Sequence, residues 1–302
     1  MTIALTGGTG FVGQAVLDCA VAEGRAVKAL TRSPQPKRAG VTWGLGDLAD
    51  RKALNKLVHG AEAVIHVAGV TNAGGPAEFE AGNVAGTLAV IEAAVKAGVP
   101  RFVFVSSLAA REPGLSAYGK SKARAERLVK ASGLDWTIVR PPAVFGPRDK
   151  DLFELFRAAK WGVVPTPKEG RTSLLHAADL AQLLLALVPG GEEVTHHSFE
   201  PDDGKRGGWG HYELARAIGW AIGRRPRVLG LSRRTMEWAA RADGMLRGKG
   251  AKLTLDRVGY MTHPDWVVRL GARVPYEVWR PRIDTREGLK ATARWYREAG
   301  WL

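Results

Sequence analysis

The chain of 302 residues contains 45% hydrophobic and 25% charged residues, a composition typical of a globular protein. Its length fits one large domain, or one domain with a smaller partner. A single cysteine excludes an intramolecular disulfide framework and any metal site built from several cysteines. The amino terminus lacks the features of a secretory signal, and no apolar run is long enough to span a membrane, so we expect a cytoplasmic protein without a transmembrane segment.

The net charge of +14 is concentrated in the last third of the chain. From Asp203 to the end there are 21 lysines and arginines against 10 acidic residues, and seven of the ten tryptophans lie there too. This composition fits an anionic membrane surface, nucleic acid, or an acidic or lipid-like ligand. It fits equally a solvated basic face over an aromatic core. Because only charge favours nucleic acid, we expect no nucleic-acid partner.

Short β-branched runs alternate with helical patterns over the first 140 residues. Apolar strands that are each separated by a helix are typical of a parallel sheet covered on both faces. The sequence therefore predicts an α/β fold with a doubly wound parallel sheet, the Rossmann architecture. The predicted strands are Thr2–Thr6, Ala26–Thr31, Ala61–Ala68, Arg101–Ser107 and Asp135–Arg140, with a weaker one at Val41–Gly46; the predicted helices are Phe11–Glu23, Asp50–His59, Asn83–Lys96 and Tyr118–Lys130.

A glycine cluster lies between the first predicted strand and the first predicted helix. Gly7, Gly10 and Gly13 form the pattern G-x-x-G-x-x-G. Gly8, Gly10 and Gly13 form the pattern G-x-G-x-x-G. Glycine is needed because the backbone must turn tightly and approach a pyrophosphate, which the amides at the helix start then hold. The alternative is a structural turn. The predicted dinucleotide-binding residues of this segment are Gly7, Gly8, Thr9, Gly10, Phe11, Val12 and Gly13.

The end of the second predicted strand indicates which dinucleotide binds. NAD sites usually carry an acidic residue there, whereas this chain has Thr31, followed by Arg32. A guanidinium pairs well with a phosphate monoester, so we favour NADP, with NAD as the alternative. After the third strand, Asp47 with its neighbour Leu48 is predicted to contact the adenine, whereas Asp50 is predicted to cap the next helix.

Tyr118 precedes Lys122 by four residues at the start of a predicted helix, and Ser107 lies eleven residues upstream of the tyrosine. Positions i and i+4 share a helix face, and a nearby ammonium lowers the pKa of a phenol from about 10. Such a tyrosine can exchange a proton near neutral pH while a nicotinamide carries the hydride. The alternative is an ordinary amphipathic helix, capped by Ser116, with a half-buried tyrosine.

Together these segments resemble the short-chain dehydrogenase/reductase superfamily, in its extended branch of NAD(P)-dependent epimerases, dehydratases and hydroxysteroid-type dehydrogenases. The resemblance rests on TGGTGFVG, GDLAD, HVAG, NVAGT, VSS, YGKSK and RPPAVFGP, and it covers about residues 1–190. It implies that Ser107 is the catalytic serine, Tyr118 the acid–base residue and Lys122 its partner. Further cofactor contacts are predicted for Val67, Ala68, Gly69, Ser106, Tyr118, Lys122, Pro141 and Pro142.

The chain also departs from parts of this superfamily. The interval from Ser107 to Tyr118 is short for a sugar-nucleotide epimerase, and Leu108 and Ala109 stand where dehydratases have acidic residues. The resemblance thus favours hydride transfer between NADP(H) and a secondary alcohol or ketone. The tryptophan-rich, basic last third suggests that the small-molecule substrate is bulky and apolar, or that it bears an acidic group. Alternatives are an epimerase with the same residues and a non-catalytic NADP(H)-binding protein. Many relatives dimerise, so a homodimer is another expectation.

The remaining predictions concern organisation and polar residues outside the proposed chemistry. We expect residues 1–190 to form the NAD(P)-binding domain and residues 191–302 a smaller, mostly helical lobe that binds substrate. His66 is expected to be a satisfied core histidine or one adjacent to the cofactor, and no metal site is expected. Asn83 is expected either to organise the active site or to cap a helix. The resemblance implies structural roles for His176 and Asp179.

Overall fold

The structure, a computed structural model, describes residues 2–302, the side chain of residue 249 excepted. The chain divides into two compact units, each made of three segments. The first unit comprises the chain up to Pro141, Leu180–Glu200 and Ala272–Arg280; the second comprises Pro142–Asp179, Pro201–Gly271 and Pro281–Leu302. The predicted assignment of NAD(P) binding to residues 1–190 and of substrate binding to residues 191–302 stays a prediction.

Strands and helices alternate along most of the chain. In chain order the strands are β1 (Thr2–Thr6), β2 (Ala26–Thr31), β3 (Val41–Leu45), β4 (Ala63–His66), β5 (Arg101–Val105), β6 (Asp135–Val139), β7 (Ala143–Phe145), β8 (Val163–Pro167), β9 (Arg171–Thr172), β10 (Leu174–His176), β11 (His197–Phe199), β12 (Trp209–Gly210), β13 (Arg227–Leu231) and β14 (Asp265–Trp266). The helices are α1 (Phe11–Ala22), α2 (Arg51–Val58), α3 (Pro76–Phe79), α4 (Gly86–Lys96), α5 (Ala117–Lys130), α6 (Phe153–Lys160), α7 (Ala177–Ala186), α8 (His211–Ala221), α9 (Arg233–Arg247), α10 (Leu255–Met261) and α11 (Thr285–Glu298).

Seven parallel strands form the sheet of the first unit, in the order β11-β6-β5-β4-β1-β2-β3. Helices α2, α4 and α5 contribute Leu54, Val90 and Val129 to a buried cluster with Phe102 and Ile138 of the sheet. All residues of β4 and β5 are buried, because strands at the centre of a helix-covered parallel sheet meet no solvent. The predicted doubly wound α/β fold is confirmed.

The helix predicted over Asn83–Lys96 begins earlier in the structure. Helical backbone starts at Pro76 with α3, passes through a π-helical turn at Glu80–Ala85 and continues as α4. Asn83 therefore lies inside helical backbone, and the prediction that it caps a helix is wrong. The cap expected elsewhere is confirmed: the Asp50 side chain accepts from the amide of Ala53 at the start of α2.

The seventh strand, β11, lies beyond the part of the sequence in which we predicted sheet strands. It pairs in parallel with β6, with His197 opposite Thr137 and Phe199 opposite Val139. Next to it, buried Arg101 donates from Nε to the carbonyl of Leu187 at 2.9 Å. These bonds join the segment around residues 187–200 to the edge of the sheet.

Among the residues that the structure describes, the second unit consists of short sheets and five α-helices, together with the start of α7. The sheets pair β10 with β7, β12 with β9 and β14, and β13 with β8. Tyr296 of α11 is fully buried among Phe153, Phe156 and Trp301, and its hydroxyl donates to the carbonyl of Asp149 at 2.7 Å. An aromatic core thus accounts for part of the aromatic content of the last third.

The tryptophans of the last third do not all serve this core. Trp209 and Trp266 are buried, with 4% and 8% of their surface exposed, whereas Trp220 and Trp238 are 49% and 71% exposed. Within residues 2–302, no helix is both long and apolar enough to cross a membrane.

Candidate active site

The glycine turn between β1 and α1 has the backbone geometry of a phosphate cradle. Gly7 has φ +75°, and a Cβ added there would lie 2.7 Å from the amide nitrogen of Ala68. A Cβ at Gly13 would overlap the carbonyl oxygen of Gly7, so α1 packs directly on the turn. Gly10 is the N-cap of α1, and a glycine cap brings no side-chain acceptor to the amides of the first turn. These amides are free to bind a pyrophosphate, so the residues present fit a dinucleotide.

At the end of β2, Thr31 is buried and Arg32 is exposed. The Thr31 hydroxyl donates to the carbonyl of Ser33 at 2.7 Å, which closes a tight turn after the strand. Further along the loop, Lys37 and Arg38 line a cleft with Trp43 of β3, and Arg38 pairs with Asp18 at 2.7 Å. The loop after β2 therefore carries exposed positive charge at Arg32 and Lys37.

The residues predicted to contact the adenine make local contacts. The Asp47 carboxylate accepts from the amides of Ala49 at 2.9 Å and Asp50 at 3.1 Å. Leu48 packs against the start of α4, where a Cβ at Gly86 would lie 2.7 Å from the Leu48 side chain. Asp47 thus stabilises the turn before α2, with its side chain exposed.

After β4, a polar chain fixes the segment that contains Val67, Ala68 and Gly69. The Thr6 hydroxyl lies 2.6 Å from Nδ1 of His66 and accepts from the amide of Ala68 at 3.2 Å. Nε2 of His66 lies 3.0 Å from the hydroxyl of Thr87. Burial and the charge of Lys122 lower the pKa of His66 to about 3, so its ring is neutral at physiological pH. The prediction of a satisfied core histidine is confirmed.

Asn83 connects this segment to α5. Its side chain accepts from the amide of Val70 at 2.7 Å and donates to the carbonyl of Val70 at 3.0 Å and to Ser121 Oγ at 2.9 Å. The π-helical turn directs this amide inward, where it is 1% exposed. A Cβ at Gly69 would lie 3.0 Å from Asn83 Oδ1 and 3.4 Å from Lys122 Nζ. The segment after β4 and the middle of α5 therefore meet at one point.

The start of α5 lies tightly against the turn that follows β5. Ser116 caps the helix by accepting from the amide of Gly119 at 2.9 Å, as the alternative interpretation of this segment expected. A Cβ at Gly119 would lie 2.6 Å from the carbonyl oxygen of Ala109, so this contact requires glycine. The Ser107 hydroxyl accepts from the amide of Ala109 at 3.2 Å and caps the same turn. The close approach thus brings the elements that carry Ser107 and Tyr118 together.

Within α5, Lys122 is buried and Tyr118 is half-buried. The Lys122 ammonium donates to the carbonyl of Val105 at 2.8 Å and lies 4.8 Å from the centroid of the Phe104 ring. Burial lowers the pKa of this ammonium to about 8, and the nearby Glu126 carboxylate opposes the shift. The Tyr118 ring contacts Phe79, with 5.9 Å between the centroids. The lysine is thus held at the carboxyl end of β5, where ligands of such sheets bind.

Sequence reasoning missed a buried ionic network behind Lys122. Glu126, one turn further along α5, accepts from Ser106 Oγ at 2.6 Å and from Nε and Nη2 of Arg140 at 2.8 and 2.6 Å. Arg140 also lies 3.6 Å from Glu200, which pairs with Arg111 at 3.4 Å. The hydrogen bond to Glu126 raises the pKa of Arg140. Only the i+4 spacing from Lys122 to Glu126 signalled this network in the sequence.

The two prolines after β6 fall in different units. The Pro141 carbonyl accepts from the amide of Leu108 at 2.9 Å, which ties the end of β6 to the turn after Ser107. Pro142 begins the second unit. There, the Asp179 carboxylate accepts from the amides of Arg282 and Ile283, each at 3.1 Å, so this predicted structural role is confirmed. Over residues 2–302, no cluster of histidine, cysteine and carboxylate side chains could hold a metal ion.

Comparison with known proteins agrees with this geometry. A model of the NAD(P)H-binding family matches residues 7–188. The chain is 34% identical to the ceramide reductase of Caulobacter vibrioides, over 99% of this chain and 96% of that protein. It is 33% identical to the 4-hydroxy-2-methyl-3-oxo-4-farnesyl-3,4-dihydroquinoline-1-oxide ketoreductase of Stigmatella aurantiaca, over 62% of this chain and 65% of that one.

A solved structure shares the whole fold. MoeE5, in complex with UDP-glucose and NAD, superposes with a TM-score of 0.76 over 99% of both chains, at 22% sequence identity. At this identity the likeness concerns the fold alone. The family match and the two reductase relatives show that the chain belongs to the NAD(P)-binding short-chain dehydrogenase/reductase superfamily and is an oxidoreductase.

Proposed function

We propose that this oxidoreductase is an NADP(H)-dependent ketoreductase that converts a bulky apolar ketone to the secondary alcohol. The observation that carries the proposal is the Lys122 ammonium, buried and held 2.8 Å from the carbonyl oxygen of Val105 at the carboxyl end of β5. Tyr118 precedes it by one helical turn and is half-buried. A cation in this position favours the phenolate, which prepares the tyrosine for proton transfer.

Each residue of the proposed catalytic group has a distinct role. When bound, the nicotinamide supplies the hydride. The Tyr118 hydroxyl gives its proton to the ketone oxygen, and the Ser107 hydroxyl donates a hydrogen bond that holds the same oxygen. The charge of Lys122 then stabilises the tyrosinate until it takes a proton from water. This charge is present below the lysine pKa of about 8.

The choice of NADP over NAD rests on the end of β2. Thr31 replaces the usual acidic residue, and the exposed Arg32 guanidinium can pair with a 2′-phosphate in two parallel hydrogen bonds. Lys37 lines a cleft in the loop after this strand and adds positive charge, whereas Arg38 in the same cleft is paired with Asp18. An adjacent carboxylate, which would repel the phosphate, is absent from residues 31–38. We infer that the adenine ribose is bound beside this turn, with Asp47 and Leu48 near the adenine.

The relatives favour an apolar substrate. One acts on ceramide according to its name, and the other on a quinoline that carries a farnesyl chain. Both names denote a reduction, and the second denotes reduction of a ketone. Residues 191–302 remain the proposed substrate-binding part. A homodimer and a cytoplasmic location remain expectations from the sequence.

The test is turnover of a panel of ketones by the purified protein with NADPH or NADH, followed by the absorbance of the nicotinamide. We expect NADPH oxidation with long-chain β-keto lipids, and a loss of at least about a hundredfold in kcat for Tyr118→Phe, with NADPH binding retained. Ser132→Ala, at a half-buried serine two residues beyond the end of α5, removes a hydroxyl outside the proposed catalytic group and is the control. If the protein reduces no ketone but interconverts sugar nucleotides without net oxidation of the cofactor, the reaction is that of an epimerase instead.

A further inference from the structure

Helix α9 of the second unit has an exposed face that the proposed reaction does not use. The helix buries Met236 and Ala240, which pack with Val258 of α10. At about 100° per residue, the positions 234, 238, 241 and 245 fall within one narrow stripe on the opposite side. This stripe consists of Arg234, Trp238, Arg241 and Met245, and all four are exposed. We call it the α9 stripe.

The α9 stripe combines large apolar groups with cations. Trp238 is 71% exposed and Met245 is 88% exposed, and the neighbouring Leu246 is 85% exposed. The Arg241 guanidinium lies 5.8 Å from the centroid of the Trp238 ring. An exposed tryptophan and methionine on one helix cost free energy in water, because their apolar surface stays hydrated. Such a stripe is therefore expected to contact a partner with an apolar interior.

The charge of the helix indicates the chemistry of that partner. Helix α9 has four arginines against two carboxylates. Both carboxylates are already engaged: Glu237 pairs with Arg233 at 2.9 Å and Asp243 with Arg247 at 3.1 Å. Asp243 also accepts from the amides of residues 252 and 253. The stripe cations are thus available to phosphates outside the protein.

The strand before α9 has exposed side chains of the same two kinds. Strand β13 ends one residue before the helix and pairs with β8, with Arg227 opposite Val163 and Leu229 opposite Pro165. Val163 and Leu229 are 45% and 47% exposed, and Arg227 is exposed as well. The outer face of this two-stranded sheet therefore repeats the combination of apolar side chains with a cation.

We propose that the α9 stripe binds the surface of an anionic phospholipid bilayer. The tryptophan ring and the methionine enter the interface between headgroups and acyl chains, where tryptophan is enriched in membrane proteins. The arginines lie along the headgroup phosphates, and each cation near an anionic surface strengthens binding. The helix lies in the plane of the interface, since its opposite face is packed on α10. The inference does not rest on the proposed reaction, because membrane binding needs neither substrate nor cofactor.

The test is cosedimentation of the full-length protein with vesicles. We expect association with vesicles of phosphatidylcholine containing one third phosphatidylglycerol, weakening at high salt, and little association with phosphatidylcholine alone. The triple variant Arg234→Gln/Trp238→Ser/Arg241→Gln should lower the partition coefficient by about tenfold or more. The control Trp220→Ser/Arg225→Gln/Arg294→Gln removes the same side chains from exposed positions outside α9 and should retain binding.

Several results would overturn the proposal. One is absence of wild-type binding to the anionic vesicles; another is equal weakening by the two triple variants, which would mean that bulk charge alone acts. A lower molar mass of the α9 variant in size-exclusion chromatography would assign the stripe to contact with a second copy of the chain. Binding of a DNA duplex instead of vesicles would assign it to nucleic acid. Circular dichroism and thermal melting of both variants show that they are folded before vesicles are added.

Discussion

Replacement of Glu126 by glutamine tests the buried network behind Lys122. The carboxylate is 3% exposed and accepts three hydrogen bonds, one from Ser106 and two from Arg140. Glutamine retains the volume but loses the charge, and its amide group faces the donors of Arg140. Charge-assisted hydrogen bonds contribute about 1.5–3 kcal/mol each, and removing one member of a buried ion pair costs about 3–5 kcal/mol.

For Glu126→Gln we expect a loss of stability below the 3–5 kcal/mol that is typical of a broken buried ion pair. The Arg140 side chain is 20% exposed and keeps its contact with Glu200 at 3.6 Å, so its charge is not left unpaired. We therefore expect Glu126→Gln to lower the free energy of unfolding by about 2–3 kcal/mol, measured by chemical denaturation. Glu92→Gln removes a carboxylate from an exposed ion pair with Arg51 and should cost less than about 1 kcal/mol.

The same variant has a kinetic signature that loss of stability alone would not give. The Glu126 carboxylate raises the pKa of Lys122 against the effect of burial, which brings it to about 8. Ketone reduction should therefore fall above about pH 8 in the wild type, as the ammonium loses its proton. In Glu126→Gln the fall should begin at lower pH. The reasoning would be refuted if Glu126→Gln were as stable as Glu92→Gln and had the same pH profile of kcat/KM as the wild type.

Three further variants test other parts of the molecule. Gly13→Ala places a Cβ on the carbonyl oxygen of Gly7 and should weaken NADPH binding by at least about tenfold, measured by fluorescence titration; unchanged affinity would contradict the cradle. Arg32→Asp should reverse the preference from NADPH to NADH in the ratio of kcat/KM values, whereas an unchanged ratio would remove Arg32 from the phosphate site. Tyr296→Phe leaves the carbonyl of Asp149 without its 2.7 Å donor and should cost about 1–2 kcal/mol in thermal or chemical unfolding, with NADPH affinity unaltered.

The features that could be predicted from the sequence are those that short segments determine. The Gly7 and Gly13 turn follows from steric requirements within one strand–turn–helix unit, and its geometry agrees with the prediction. The caps at Asp50 and Ser116 are set by the residue itself and by amides three positions later. The order of apolar runs and helices was sufficient for the fold class, because parallel strands require crossover helices.

The features that were missed depend on pairing between distant segments. Arg140 and Glu200 are sixty positions apart, and no local pattern relates them. The strand β11 has only three residues, too few for a periodic signal. The π-helical turn at Glu80–Ala85 inserts Asn83 into the core, but its sequence reads as an ordinary helix start. The roles of Ser107, Tyr118 and Lys122 stay predictions, because a fold gives the positions of side chains and their part in the reaction has to be measured by kinetics.

The alternation of segments between the two units restricts how this protein can be recombined with its relatives. Six segments that alternate between the units give five crossings, so a single crossover in a chimaeric gene cannot exchange one unit intact. A crossover between residues 142 and 280 would combine parental halves within both units, and one between residues 140 and 200 would take Arg140 and Glu200 from different parents. Substrate specificity in this chain is therefore expected to diverge by replacement of individual side chains, and shuffling of whole modules is an improbable route for its evolution or for its engineering.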